Sequence, residues 1–152
     1  MSIRPVVIVG LLLSCFFGSG CTSQREIDLM YASKRGDLTS MHTLIEAGAR
    51  LNVHGLDDST PLISAISGDQ YEAVQLLLEA GADPNFPSGV LTPLYFALSD
   101  GRTAIASILI RKSARFEVPE SNVQLFREKV CAREKDATFM AVLREAGYTC
   151  SA

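Results

Sequence analysis

Apolar residues in the middle of the chain recur at the spacing of short amphipathic helices. Leu77 and Leu78 follow Val74 by three and four residues, which places the three side chains on one face of a helix. This pattern predicts a helix over 71–79. A helix this short cannot bury its own apolar face, so we expect it to pack against neighbours.

Residues that start and stop helices divide the rest of the segment. Thr60 can cap a helix through its hydroxyl, and Pro61 suits the first helical position because its missing N–H would have no partner there. Residues 68–69 should end that helix, and Gly81 can close the next one in the left-handed conformation. The turn-forming stretch 85–89 predicts a projecting loop.

Two sequence motifs repeat at nearly constant distance. Leu-Ile-Glu-Ala-Gly-Ala-Arg-Leu-Asn at 44–52 recurs 33 residues later as Leu-Leu-Glu-Ala-Gly-Ala-Asp-Pro-Asn at 77–85. Thr-Pro-Leu-Ile-Ser-Ala at 60–65 recurs 32 residues later at 92–97. Residues 27–32 stand at the same phase in an earlier unit. A fixed period of this length is typical of a repeat architecture.

Both motifs resemble the ankyrin repeat, whose consensus has Thr-Pro-Leu-His opening its first helix and Leu-Leu-Glu-Ala-Gly-Ala-Asp-x-Asn closing its second. The resemblance implies an all-α solenoid of stacked helix-turn-helix units with projecting hairpin loops. A degenerate last unit, ending in Leu-Arg-Glu-Ala-Gly, would be the terminal cap. The predicted units and cap are 27–59, 60–91, 92–117 and 118–152.

The chain departs from this consensus in two places. Met30, Ile63 and Tyr95 replace the histidine of the Thr-Pro-Leu-His turn, so the hydrogen bonds that it supplies between adjacent loops should be absent. Ser-Ala-Arg at 113–115 replaces Gly-Ala-Asp, which makes the end of that helix harder to predict. We therefore expect less rigid loops than the consensus has.

The first twenty residues differ in kind from the repeats. Val6 to Phe17 form an apolar run that is too short for a comfortable bilayer crossing and has the shape of a signal-peptide core. Small residues 18–20 then lead into Cys21. This arrangement resembles the lipobox of bacterial lipoproteins, although Gly18 stands where leucine is preferred. Cys15 is an alternative acylation site, and cleavage by an ordinary secretory route would leave a plain thiol at the later cysteine.

The lipoprotein resemblance implies a location. Residues 1–20 would be the signal peptide, Cys21 the lipidated residue and 21–26 a polar tether. Thr22, rather than an aspartate, follows the cysteine, which in bacterial lipoproteins favours sorting to the outer membrane. The folded part would then lie in the periplasm, and contact with the membrane would be through the lipid anchor alone.

Two further cysteines, Cys131 and Cys150, would lie in an oxidising compartment where disulfides persist. An even pair favours a bridge that clamps the C-terminal end. The alternative is that Cys131 is a small buried apolar residue and Cys150 a thiol in the tail.

Few residues suit catalysis or metal binding. His42 and His54 are separate, with no cysteine or carboxylate cluster at ligand spacing, and the pair Asp57–Asp58 lacks further oxygen ligands nearby. We expect no enzyme activity, no metal and no cofactor. The formal net charge of −3 and the absence of a strongly basic stretch argue against a nucleic-acid partner.

The family resemblance implies a protein partner that meets the hairpin tips and the first helices. Phe86 and Tyr95 would be aromatic anchors, unless the first folds back on its own hairpin or the second belongs to the core. The candidate partner-binding residues are Lys34, Arg35, His54, Leu56, Asp57, Ser59, Ser67, Phe86, Ser88, Leu91, Tyr95, Ser99 and Asp100.

Two roles fit a protein-binding domain tethered in a bacterial envelope. One is an immunity protein that inhibits a secreted effector, such as a lipase delivered by type VI secretion. The other is an envelope scaffold, similar to envelope ankyrin proteins that support oxidative-stress defence. The sequence favours the first and does not identify the partner.

Overall fold

The computed structural model describes residues 23–150. Within that range the chain forms eight α-helices, a 3₁₀ turn at Glu120–Asn122 and no regular strand. The helices are α1 Gln24–Arg35, α2 Leu38–Glu46, α3 Pro61–Ser67, α4 Tyr71–Glu79, α5 Pro93–Ser99, α6 Thr103–Arg111, α7 Val123–Cys131 and α8 Ala137–Glu145.

Helices stack in two layers. The first helices of the units contact one another in the order α1, α3, α5 and α7, and the second helices do so in the order α2, α4, α6 and α8. Each of the first three units also packs its own two helices together. The predicted all-α repeat solenoid is therefore confirmed, with each unit covering an apolar face of the next.

The predicted helix boundaries arise from local chemistry. The Thr60 and Thr92 hydroxyls accept hydrogen bonds from the third backbone N–H of their helices, at 3.1 and 3.3 Å. Gly81 closes α4 with φ of 97°. Ser113 adopts φ of 61° at the equivalent place after α6, so the same turn forms there although a serine pays a steric cost for that conformation.

Equivalent residues of successive units form one continuous core. Leu29, Leu62 and Leu94 hold the same position in the first three units, and all are buried. Leu77 and Leu109 repeat this in the second layer. Because the buried positions recur every 32 or 33 residues, the repetition seen in the sequence is a repetition of packing.

Adjacent loops are joined by the asparagines that the repeat consensus also has. Asn52 Oδ1 accepts from the Asp83 N–H at 2.9 Å, and Asn85 Oδ1 accepts from the Arg115 N–H at 2.6 Å. The consensus asparagine of each unit thus reaches the loop of the next. These contacts fasten the loops although Met30, Ile63 and Tyr95 stand in place of the consensus histidine.

The boundary of the tether is also corrected. α1 begins at Gln24, and Glu26, which was predicted to lie in a polar tether, is buried. The Glu26 carboxylate accepts from the Ser23 N–H at 2.9 Å and pairs with Arg50 at 3.2 Å. These contacts order the start of the array, so residues 23–26 belong to the folded part.

The C-terminal cap is held by a disulfide and by aromatic packing. Cys131, the last residue of α7, is bonded to Cys150. The Phe126 ring lies 5.3 Å from both Phe116 and Tyr148. The tail is therefore tied back over the last unit. In the described range, none of the helices has the length and apolar character that crossing a bilayer requires.

Candidate functional site

A groove of about 430 Å³ lies between α1, α3 and the loop that joins the first two units. We call this loop, residues 51–59, the first finger, and the cavity the finger groove. Five predicted binding residues line it, from three separate elements: Lys34, Leu56, Asp57, Ser59 and Ser67. Stacking of the first two units brings these residues together.

Five other residues, which were not predicted as binding residues, complete the groove: Ile27, Met30, Tyr31, Gly55 and Ser64. Tyr31 is the most informative omission, since its side chain is 59% exposed. Its position in the repeat matches Phe96, which is partly buried against the core. The available signal was therefore a large aromatic residue in the first of the described helices.

The tip of the first finger is stabilised by its own hydrogen bonds. Asp57 Oδ1 accepts from the Ser59 hydroxyl at 2.5 Å and from the Ser59 N–H at 3.2 Å. The hydroxyl bond is the largest cause that holds the pKa of Asp57 below its usual value. The Gly55 N–H donates to the Ser59 carbonyl at 2.7 Å. The loop therefore has a defined shape without a partner.

This ordered loop holds an apolar side chain in solvent. Leu56 is 99% exposed. Gly55 beside it lies close to α1, since a Cβ at that position would stand 2.9 Å from Met30 Sδ. A glycine at this point lets the finger approach α1 and form the wall of the groove. Because the loop is already ordered, a partner could bury this side chain with little loss of conformational freedom.

Three other predicted residues fasten the first finger to the next loop instead. The His54 and Phe86 rings stack with centroids 4.8 Å apart, and the Ser88 hydroxyl donates to the Asp58 carbonyl at 2.7 Å. Phe86 therefore packs against the neighbouring loop, neither standing free as an anchor nor folding back on its own hairpin. Leu91 is partly buried against the core. These residues therefore hold the loops in place and are less accessible to a partner.

Two predicted binding residues are wrong because the cap covers them. Tyr95 is 6% exposed and its ring lies 5.0 Å from Phe126 of α7. Ser99 is also 6% exposed, and its carbonyl accepts from Arg133 Nη1 at 3.1 Å. In an array without this cap, both would face the inner groove. The alternative that Tyr95 belongs to the core is the correct one.

The remaining candidates lie at exposed helix ends. Lys34 and Arg35 end α1 and are exposed. Asp100 is exposed at the turn of the third unit, 4.0 Å from Arg102, and does not line the finger groove. The structure thus concentrates the accessible candidates in the first two units.

A second cavity, of about 460 Å³, adjoins the first. It lies between α1 and α2 on the side of the first unit away from α3, and we call it the end cavity. Asp28, Tyr31, Arg35 and Thr39 are among its lining residues. Tyr31 borders both cavities and so forms a ridge between them.

Neither cavity has the composition of a metal site. Across residues 23–150 there is no group of three histidine, cysteine or carboxylate side chains placed to hold a metal ion. The finger groove combines apolar, hydroxyl and single charged groups, which suits contact with a protein surface.

Comparison with known proteins agrees with this geometry. Residues 29–122 match the model of the family described as ankyrin repeats (3 copies). Over 88 residues the chain is 43% identical to the ankyrin repeat and KH domain-containing protein mask-1 of Caenorhabditis elegans. This alignment covers 57% of this chain and 3% of that protein.

Other similar proteins are also much larger. Over 127 residues the chain is 28% identical to the ankyrin repeat and LEM domain-containing protein 1 homolog of Caenorhabditis elegans, covering 82% of this chain and 17% of that protein. Over 93 residues it is 28% identical to transient receptor potential cation channel subfamily A member 1 of Homo sapiens. This alignment covers 59% of this chain and 8% of that protein. The chain spans between 3% and 18% of the length of the curated relatives it matches.

These matches identify the repeats and agree with the stacked helix pairs and joined loops of the structure. Arrays of this kind bind other proteins, and the finger groove is the accessible surface that fits such a role. The chain belongs to the ankyrin-repeat family.

Proposed function

We propose that this protein is an envelope lipoprotein that binds a secreted effector through the finger groove and inhibits it. The observation that supports binding is the fully exposed Leu56 on a loop whose shape is already set by hydrogen bonds. A preformed loop loses little conformational freedom on association. A rigid array that holds an apolar tip in this way can occlude the entrance of an enzyme's active site.

The proposed location is supported by two features. The apolar run 6–17 followed by Cys21 resembles a lipoprotein signal, although these residues lie outside the part that the structure describes. The bond between Cys131 and Cys150 suits a compartment in which disulfides persist. Together they favour a chain anchored at the outer membrane with its array in the periplasm.

Binding is tested by capture of partners from envelope extract with the full chain, followed by mass spectrometry. Leu56→Asp should abolish capture, because it places a charge where the partner buries an apolar side chain. Val90→Asp is the matched control, since Val90 is also exposed on a loop but does not line the groove. Equal loss with both variants, or loss with neither, would contradict this site.

Inhibition is tested on the captured partner. We expect its enzymatic activity to fall when the chain is added in stoichiometric amount, and a cell that produces it to be protected by co-expression. A partner whose activity is unchanged would exclude the immunity role and favour a scaffold.

Lipidation is tested by cell fractionation. Cys21→Ser should release the protein into the soluble fraction, whereas Cys15→Ser should leave it in the membrane fraction. If Cys21→Ser still partitions into detergent, the proposed anchor is wrong. Release by Cys15→Ser alone would assign the anchor to the earlier cysteine.

A further inference from the structure

The disulfide of the cap takes the place of packing that the other units have. In each of the first three units the two helices pack on each other, whereas α7 packs on α5 and has no comparable contact with α8. The bond from Cys131 to Cys150 instead joins the end of α7 to the tail that follows α8. It therefore has the role in the last unit that helix packing has in the others.

Apolar burial holds α7 less firmly than it holds α5. Phe126 and Val130 are the buried residues among the nine of α7, whereas six of the seven residues of α5 are buried. Val123 and Leu125 of α7 are 43% and 52% exposed. A helix this short is unstable alone in water, because its few hydrogen bonds do not offset the entropy of ordering it. The position of α7 therefore depends strongly on the bond that fixes its last residue.

α7 covers the inner face of the third unit. Its Phe126 ring lies 5.0 Å from the ring of Tyr95. Just beyond its end, Arg133 Nη1 donates to the Ser99 carbonyl at 3.1 Å. On the other side of α7, the Tyr148 ring of the tail lies 5.3 Å from Phe126. The helix is thus held between the inner face and a tail whose position the disulfide fixes.

We propose that the disulfide is a redox clasp, and that its reduction by a dithiol releases α7 from α5 and opens the inner face at Tyr95 and Ser99. Both cysteine residues are partly exposed, so a dithiol can reach the bond. One thiolate of the dithiol attacks a cysteine sulfur and forms a mixed disulfide, which the second thiol of the dithiol then resolves. Two electrons and two protons pass to Cys131 and Cys150, which become thiols, and the dithiol becomes a disulfide.

The clasp lies at the opposite end of the array from the finger groove, and it does not depend on the proposed function. In an oxidising compartment the bond persists and the inner face of the third unit stays closed. A dithiol opens this face, and the array gains a second accessible surface on α5. The redox state of one bond thus decides whether the third unit can be reached by another molecule.

Fluorine NMR of the full chain in mild detergent tests the opening. Labelling with 3-fluorotyrosine gives a signal for each of the four tyrosines, Tyr31, Tyr71, Tyr95 and Tyr148, and replacement of each by phenylalanine assigns it. The shift of a signal between H₂O and D₂O reports exposure of the ring to solvent. Dithiothreitol should raise this shift for Tyr95 and Tyr148 to the value that Tyr31 already has. Tyr31 and Tyr71 should keep theirs, and reoxidation should restore the first pair.

Hydrogen exchange followed by mass spectrometry measures how far the opening extends. Dithiothreitol should accelerate exchange in residues 123–131 at least about tenfold more than in residues 61–79, because local opening exposes α7 without unfolding the array. Equal acceleration in the two segments would show that the bond stabilises the whole array, and it would overturn the clasp. Tyrosine signals and exchange rates that do not respond to reduction would overturn it as well.

A variant without the bond separates loss of the disulfide from other effects of the reductant. Cys131→Ala/Cys150→Ala should show the open signals of Tyr95 and Tyr148 both with and without dithiothreitol. A double variant that folds and keeps the closed signals of the oxidised parent would contradict the clasp. If circular dichroism shows that the double variant does not fold, the reduced parent supplies the decisive result, since it is folded before the reductant is added.

Discussion

The first unit and the C-terminal cap occupy opposite ends of one array but are stabilised differently. The first unit is held by polar contacts, among them the ion pair of Glu26 and Arg50 at 3.2 Å within the unit and the hydrogen bond from the Asp83 N–H of the next unit to Asn52 Oδ1 at 2.9 Å. The cap is closed by aromatic packing around Phe126 and by the bond between Cys131 and Cys150. One end therefore keeps an open surface, whereas the other is sealed.

This difference explains where the candidate site lies. The cap covers Tyr95 and Ser99, which would otherwise belong to the inner face of the third unit. The same layer of the first unit leaves Tyr31 and Lys34 accessible. The cap thus removes these positions of the third unit from binding, whereas the first finger stays accessible.

Among the changes predicted here, loss of the aromatic ring at the centre of the cap should lower the free energy of unfolding most. Phe126→Ala removes a fully buried ring, and we expect the free energy of unfolding to fall by about 3–5 kcal/mol. Urea unfolding followed by circular dichroism measures this. Leu125→Ala is the control, because that side chain is exposed on the same helix. Equal effects from the two variants would mean that the cap is not packed as described.

The disulfide should have the next largest effect. Replacing Cys131 and Cys150 together with alanine frees a loop of about 20 residues and should lower the free energy of unfolding by about 3 kcal/mol in the chain-entropy model. Dithiothreitol should lower the stability of the parent to a similar degree and leave the double variant unchanged. A parent that is insensitive to reductant would contradict the proposed contribution.

At the open end, Glu26→Gln should lower the free energy of unfolding by less than the two changes above. The size of this loss should depend on pH. Burial raises the pKa of Glu26, but hydrogen bonds from Ser23 and Arg50 outweigh it and bring the pKa from 4.5 to about 2. Folding therefore favours the ionised carboxylate. Its stabilisation is present above pH 4.5 and is lost as the pH falls to about 2, roughly 3 kcal/mol in total.

The variant should be about 2 kcal/mol less stable than the parent at pH 7, since a neutral amide makes weaker hydrogen bonds than a carboxylate. This gap should close as the pH approaches 2, as urea unfolding at a series of pH values would show. Glu46→Gln, at an exposed position of α2, is the control. A gap that stays constant with pH would contradict the depressed pKa.

The smallest effect on stability is expected at the ridge of the open end. Tyr31→Ala should change the free energy of unfolding by less than about 0.5 kcal/mol, because the side chain is mostly in solvent. Capture of the partner should nevertheless weaken. Thermal unfolding and capture are measured on the same preparation. A large loss of stability would show that Tyr31 supports the fold and would remove the contrast between the two ends.

Local signals in the sequence predicted the fold well and the site in part. Thr60 before Pro61 and the glycine at 81 act within a few residues of themselves, so their roles could be inferred without any tertiary contact. Lys34 and Leu56 were identified from their positions in the repeat, and both line the finger groove. The position of Tyr31 in the repeat did not reveal its exposure.

By itself the sequence determined the helix pairs, their period and the continuous core, because capping and helical spacing depend on near neighbours and the repeat makes each packing contact recur. Tertiary structure alone decided which candidates are accessible. Burial of Tyr95 depends on Phe126, and Phe86 meets His54 of the preceding loop. Such contacts join residues about 30 positions apart, and their geometry follows from how one unit stacks on the next.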